Sequence, residues 1–345
     1  MACKIIVATV LAMGLDEGFV RGQTEPRAFF QDHVKLTDSE IQTMEQGQVV
    51  TKVLVSGDTT YGILVFGGVY INAPISKFAD AYRDVNKLQG EKAYLVVQDF
   101  CRAGAPPKLS DFDRLELERK DIDELEHCRP AECELQVFDV LDFQKRVDWK
   151  SKDKYTQANQ LARQLIYEGM THYLAGGLKA LGSYHDRSKP LNLYQATKDM
   201  VDRSYYLPQD KAGDIYRHVL EYPQGKVEGA EDIFYWEKID FGAGATVRVN
   251  HVTLFPKGVG AVKLVVANKQ LYASRYIRVA LQMFYCVPDT SNPNKPGFFL
   301  IEMNDSRVPD FGLIELAIVK RIATGKSVEG TRATLEIYQR RIASK

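Results

Sequence analysis

The chain has 345 residues, with 45 Lys and Arg against 45 Asp and Glu, and 45% of it is hydrophobic. That composition excludes intrinsic disorder and collagen-like or coiled-coil architectures. A formal charge of zero removes the broad attraction on which general nucleic-acid binding rests, so no nucleic-acid partner is expected.

The N-terminus has one early cation, Lys4, and then an apolar run from Ile5 to Leu15. This run has the dimensions of a signal-peptide core and is too short to span a bilayer. Residues 1–22 therefore read as a signal peptide and the protein as periplasmic or secreted. The alternative is a buried N-terminal element in a cytoplasmic protein. No later segment approaches the ~18 apolar residues that a membrane helix needs, so no stable membrane insertion is expected.

Residues 23–50 form a polar lead-in with one helix signal, the capping box Thr37-Asp38-Ser39-Glu40. Tyr61 to Ile71 is a β-branched and aromatic strand in which Gly67-Gly68 permits a bulge or sharp curvature. Ile75, Phe78, Ala79, Tyr82 and Val85 follow at helical spacing. Residues from about 90 to 228 read as mainly helical and charged. The stretch from Leu115 to Leu125 suggests a solvated helix, and further amphipathic stretches cover Tyr155 to Leu181, Tyr194 to Met200 and Gly213 to Tyr222.

Five cysteines, at 3, 101, 128, 133 and 286, do not describe a disulfide scaffold, but one pair stands out. Cys128 and Cys133 flank Arg-Pro-Ala-Glu, a tight loop whose spacing allows a disulfide. His127 lies beside them without the further ligands a zinc site requires, so neither a metal nor another cofactor is expected.

From about 230 the texture changes to strands: Ile233 to Ile239, Ala245 to Phe255, Ala261 to Ala267, a long one from Tyr272 to Val287, and Phe298 to Met303. A helix of about 30 residues then runs from Phe311 to Ala343, with Gly325 and Gly330 favouring a bend.

A strand and helix (Tyr61 to Val85), a helical connection, a run of antiparallel strands and one long C-terminal helix (Phe234 to Ala343) form an order that resembles the START-like or Bet v 1-like superfamily of lipid-transfer and polyketide-cyclase proteins. The resemblance implies an α+β helix-grip fold over residues 51–345, a curved antiparallel sheet around the last helix. The helical connection at about 90–228 would be a large insertion. It also implies an enclosed cavity for an apolar small molecule such as a lipid, sterol-like molecule or polyketide.

The strand alternation supplies a wall for such a cavity. Ile277, Val279, Leu281, Met283 and Tyr285 share one face, Phe299, Ile301 and Met303 form another, and Val247, Val249 and Phe255 continue it with His251 in line. Tyr272, Arg275 and Tyr276 concentrate polar groups at one strand end, and Arg307 does so after the last strand. Either Arg suits a carboxylate or phosphate headgroup, or an ordinary ion pair.

The expected ligand-binding residues are thus Tyr272, Arg275, Tyr276, Met283, Tyr285, Ile301, Met303, His251 and Arg307. No established catalytic motif is present, and no catalytic residue is assigned. His251 and His172 are the best-placed acid–base candidates, and Cys286 reads as a small buried hydrophobe. The leading expectation is a non-catalytic carrier. The alternatives are a cyclase- or hydrolase-type enzyme using the same cavity, or an interaction module whose insertion docks a protein partner that the sequence does not identify.

Overall fold

The computed structural model describes residues 26–343 except 102–103, 130–132, 134–135, 137–139, 186–189, 203–208, 241, 243, 291–296 and 311. The expected signal peptide lies outside the described residues.

The lead-in forms two helices, α1 (Pro26–Asp32) and α2 (Asp38–Glu45). The second starts at the expected capping box: Thr37 Oγ1 accepts the Glu40 amide at 3.2 Å, and a Glu40 carboxylate oxygen accepts the Thr37 amide at 2.7 Å. Strands β1 (Val50–Leu54) and β2 (Gly62–Ile71) form a hairpin, and α3 (Ile75–Arg83) follows.

The next strand, β3 (Tyr94–Phe100), lies inside the stretch expected to be helical and pairs with a strand more than 130 positions later. Its apolar residues alternate weakly with polar ones, which hid it. Between the two lie α4 (Arg119–His127), α5 (Val140–Arg146), α6 (Lys154–Gly176), α7 (Leu178–Leu181), a short hairpin of β4 (Ser183–Tyr184) and β5 (Leu191–Asn192), α8 (Leu193–Asp202) and α9 (Gln209–Glu221). The charged stretch before the cysteine loop is not fully solvated, because α4 buries Asp121, Ile122 and Leu125.

The last part of the chain is β6 (Glu231–Ile239), β7 (Thr246–Phe255), β8 (Leu264–Ala273), β9 (Val279–Pro288), β10 (Phe298–Arg307) and α10 (Leu313–Ala343). The long strand expected from Tyr272 does not exist as one unit. Tyr272 and Ala273 end β8, and Ser274 to Arg278 make the turn into β9. That turn has neither Gly nor Pro. Tyr276 supplies the left-handed conformation instead, at φ 63°. Gly325 and Gly330 do not interrupt α10, which is 31 residues long.

Among the described residues the fold is α+β, with ten helices and an eight-stranded antiparallel sheet in the order β1-β2-β10-β9-β8-β7-β6-β3. Strand alternation divides the core in two. On one face Val69, Ile71, Val252, Leu254, Phe284 and Leu300 pack with Phe78 and Tyr82 of α3 and with Leu335, Tyr338 and Ile342 of α10. On the opposite face Phe66, Trp236, Val249, Met283, Tyr285 and Ile301 pack with the helices between β3 and β6 and with α1 and α2.

Gly67 and Gly68 sit in unbroken ladders on both sides, so they mark no bulge. They admit the two layers: a Cβ on Gly67 would lie 2.5 Å from Thr331 Cγ2 of α10, and one on Gly68 would lie 2.5 Å from Met44 Sδ of α2.

Candidate functional site

The aligned face expected from the sequence is real, but its cover is different. Met283, Tyr285, Ile301, Met303, Tyr272 and His251 all belong to the sheet face under the helical layer, whereas α10 lies on the other face. All six are buried. The Tyr272 hydroxyl donates to the Gln136 carbonyl at 2.6 Å, and Ser274 O accepts the Gln136 amide at 2.7 Å, which ties the cysteine-bearing loop to β8.

Cys128 and Cys133 form the expected disulfide. The other polar candidates lie in the β8–β9 turn and at the end of β10. Arg275 is buried and pairs with Asp121, and with Glu124 at 3.4 Å. Tyr276 is 39% exposed. Arg307 pairs with Asp58 at 3.2 Å and Asp310 at 3.4 Å, stacks on the Tyr61 ring, and lines a cleft of about 340 Å³ together with Asp199 and Met200 of α8. His172 is exposed on α6, and Cys286 is buried under α10.

The structure builds a polar array around His251. Tyr173 of α6 meets His251 Nδ1 at 2.6 Å, and His251 Nε2 lies 2.9 Å from Asp232 Oδ1. His218 of α9 brings its own Nε2 to the same oxygen at 2.8 Å, and the Thr253 hydroxyl donates to it at 2.9 Å. The donors assign the tautomers. The Val227 amide donates to His218 Nδ1 at 3.1 Å, so the proton of that ring sits on Nε2 and points at Asp232. In His251, donation from Nε2 to the carboxylate leaves Nδ1 to accept the Tyr173 hydroxyl.

His218, Asp232 and His251 have ligand atoms within 4.8 Å of one another, the spacing of a metal centre. A metal on His218 Nε2 would require a proton on Nδ1, directly opposed to the Val227 N–H. The arrangement is therefore a hydrogen-bonded array. Burial alone would raise the Asp232 carboxyl, but the His218 and His251 donors override it and hold the group well below the usual carboxylate range.

Next to the array, Lys269 is the register partner of His251 and donates to the Val219 carbonyl of α9. Burial pushes its ammonium down to about 7, and burial likewise pushes His251 down to about 4. Tyr173, His218, His251 and Lys269 are each at most 2% exposed, sealed by Tyr222, Phe234 and Phe255.

A second polar group lies on the opposite face, beneath α10. Glu237 accepts from Arg248 Nε at 2.8 Å and from Asn250 at 3.1 Å. Asn268 donates to the Tyr235 hydroxyl at 3.3 Å and to Gln282 at 3.2 Å, and Gln282 donates to Glu302 at 2.6 Å. Gln270 donates to the Ile277 carbonyl at 3.1 Å. These residues occupy β6 to β10 in lateral succession, a belt of roughly 19 Å at about 4.8 Å per strand.

Four buried atoms in the belt have no hydrogen-bond partner: Glu237 Oε2, Asn268 Oδ1, Gln270 Oε1 and Glu302 Oε2. Burial pushes the Glu302 carboxyl up to about 8 against the donors Gln282 and Thr331, which favours its neutral, protonated form. The belt thus offers three bare acceptors and one acid proton.

Above the belt, α10 changes character along its length. Thr331, Leu335 and Tyr338 are buried against the sheet, but Lys320, Thr324 and Ser327, on the same side of the helix, are only half-buried. Gln282, Asn304 and Arg248 on the sheet are likewise half-buried. The N-terminal half of α10 therefore covers the polar end of the sheet less closely than its C-terminal half covers the apolar end. Most of this belt is not legible from the sequence, because its residues alternate with the apolar ones that define the strands. The signal was Asn250, Asn268, Gln270, Gln282 and Glu302, polar residues spaced through otherwise apolar strands.

No family model matches the chain, and neither a curated protein nor a solved structure matches it.

Proposed function

We propose that the protein is a non-catalytic binder of a small hydroxyl-bearing molecule, held between the N-terminal half of α10 and the polar belt of the sheet. The observation that carries this reading is the group of four unpartnered buried atoms on β6, β8 and β10. A buried polar atom left without a partner costs about 1–3 kcal/mol, and hydroxyl groups, which both donate and accept, suit three acceptors beside one acid proton.

The long helix laid on an antiparallel sheet supports a helix-grip relationship to START-like proteins. The ligand proposed here differs from the apolar one expected of that family, because the apolar faces are covered by the helical layer on one side and by α3 and α10 on the other. The Cys128–Cys133 disulfide supports a periplasmic or secreted location, where such bonds persist. No helix among the described residues is long and apolar enough to cross a membrane.

The test is a saturation-transfer NMR screen of monosaccharides, disaccharides and linear polyols against the wild type and Gln270→Leu. A hit that the variant loses supports the reading, and absence of any hit overturns it.

An acid–base enzyme is a second reading, favoured by the order Tyr173 hydroxyl, His251 imidazole, Asp232 carboxylate, which is that of a proton relay. Its burial opposes it, since Tyr173 is raised well above the usual tyrosine range by desolvation. Turnover abolished by Tyr173→Phe in a folded protein would establish this reading instead.

A further inference from the structure

Outside both buried arrays, the helical layer has a concave surface of about 560 Å³, a volume suited to a small ligand or a short peptide. One wall is α6, where Gln157, Gln160 and Gln164 recur at helical spacing and line the groove. Their amides are oriented by neighbours. Gln157 Oε1 accepts the Asp148 amide at 2.9 Å, which leaves its NH₂ for the groove. Gln164 gives its NH₂ to Glu168 at 2.6 Å, which leaves its carbonyl. A wall that presents side-chain amide donors and acceptors in turn matches the N–H and C=O groups of an extended main chain.

Charge adds a second requirement. Arg146, at the end of α5, is 48% exposed, and its acidic neighbour Asp142 is 3.7 Å away, beyond hydrogen-bond reach. Arg163 is anchored through Nε to the Leu115 carbonyl at 2.8 Å, and its outer nitrogen is 3.6 Å from Glu116, a side chain 67% exposed. Two guanidinium groups with uncommitted N–H donors thus face a groove whose lining contains one acid, Asp113. Leu161 is buried at its floor, and Leu109, 43% exposed, forms a lip against which an apolar side chain can pack.

We propose that this groove binds an acidic peptide segment, with the main chain on the glutamine ladder and a carboxylate on Arg146 and Arg163. This gives the helical layer a docking role independent of the belt beneath α10.

The test is fluorescence anisotropy with two dye-labelled pentapeptides, Gly-Glu-Leu-Asp-Gly and its uncharged counterpart Gly-Gln-Leu-Asn-Gly, titrated with the full chain. The acidic peptide binds saturably and at least about tenfold more tightly than the uncharged one, and Arg146→Glu weakens it about tenfold or more. Gln160→Ala, at an exposed position, weakens both peptides alike. Circular dichroism melting checks that each variant folds. Absence of saturable binding to the acidic peptide, equal affinity for the two peptides, or an Arg146→Glu variant that binds as the wild type does would each overturn the proposal.

Discussion

His251 and Lys269 are register partners on β7 and β8, side by side on a sheet face from which water is excluded. Burial disfavours the charged form of both side chains, pushing His251 down to about 4 and Lys269 to about 7, so Lys269 loses its charge as pH rises above neutrality. The neighbouring Asp232 carries the negative charge of the array, held by the Nε2 protons of His251 and His218 and the hydroxyl of Thr253.

The buried lysine makes stability rise with pH. Its pKa is near 7 in the folded protein against an ordinary value of 10.5, so between those values the unfolded chain binds a proton that the native state does not. Over that window the wild type should gain up to about 1.4 kcal/mol per pH unit relative to Lys269→Met. Urea unfolding of both proteins at pH 7, 8, 9 and 10 measures the difference. Parallel stability curves would show that Lys269 is charged in the native state.

Glu302 has the opposite sign. With its carboxyl raised to about 8 by burial, from 4.5, the native state holds the proton that the unfolded chain releases, and the wild type loses stability as pH rises between those values. Glu302→Gln, which mimics the protonated acid, should therefore be the more stable protein at pH 8 by a few kcal/mol and nearly equal at pH 4.5. Thermal melts across that range decide it. A variant less stable at every pH would mean that Glu302 is ionised and partnered.

Gly67→Ala should detach the C-terminal half of α10, because the added methyl would lie 2.5 Å from Thr331 and 2.7 Å from Leu335. The expected cost is about 1–3 kcal/mol, as for other overpacked cores. Hydrogen exchange should show faster opening of α10 than in the wild type. Unchanged protection would contradict the close packing at this point.

Cys128 and Cys133 are joined, and Cys101 and Cys286 are free. Thiol counting on the denatured, unreduced protein should therefore find three thiols if Cys3 is retained and two if the leader has been removed. Reduction should cost about 2 kcal/mol, the loop being short. Five thiols before reduction would contradict the disulfide.

Much of the fold was legible in the sequence where a local rule operates. Thr37 to Glu40 announced α2, Cys128 and Cys133 announced their bond, and period-two alternation placed Met283, Tyr285, Ile301 and Met303 on one face. What covers that face depends on contacts far apart in the chain, and alternation alone does not say which helix lies on which side. The β8–β9 turn was missed because Tyr276 takes the left-handed conformation that Gly usually marks. The partners of His251 were illegible for the same long-range reason, since Tyr173, His218 and Asp232 come from two helices and a neighbouring strand.

The most direct measurement for the proposed binding role is native mass spectrometry of the gently purified protein beside its Gln270→Leu variant. Gln270 has a buried oxygen without a partner, so its replacement by Leu removes a ligand contact, and because its amide also donates to the Ile277 carbonyl, thermal melting checks that the variant stays folded. The wild type should carry a discrete adduct of a small hydroxyl-bearing molecule, and the variant should not. The bare chain mass in both proteins, or an adduct retained undiminished by the variant, would contradict the binding site assigned beneath α10.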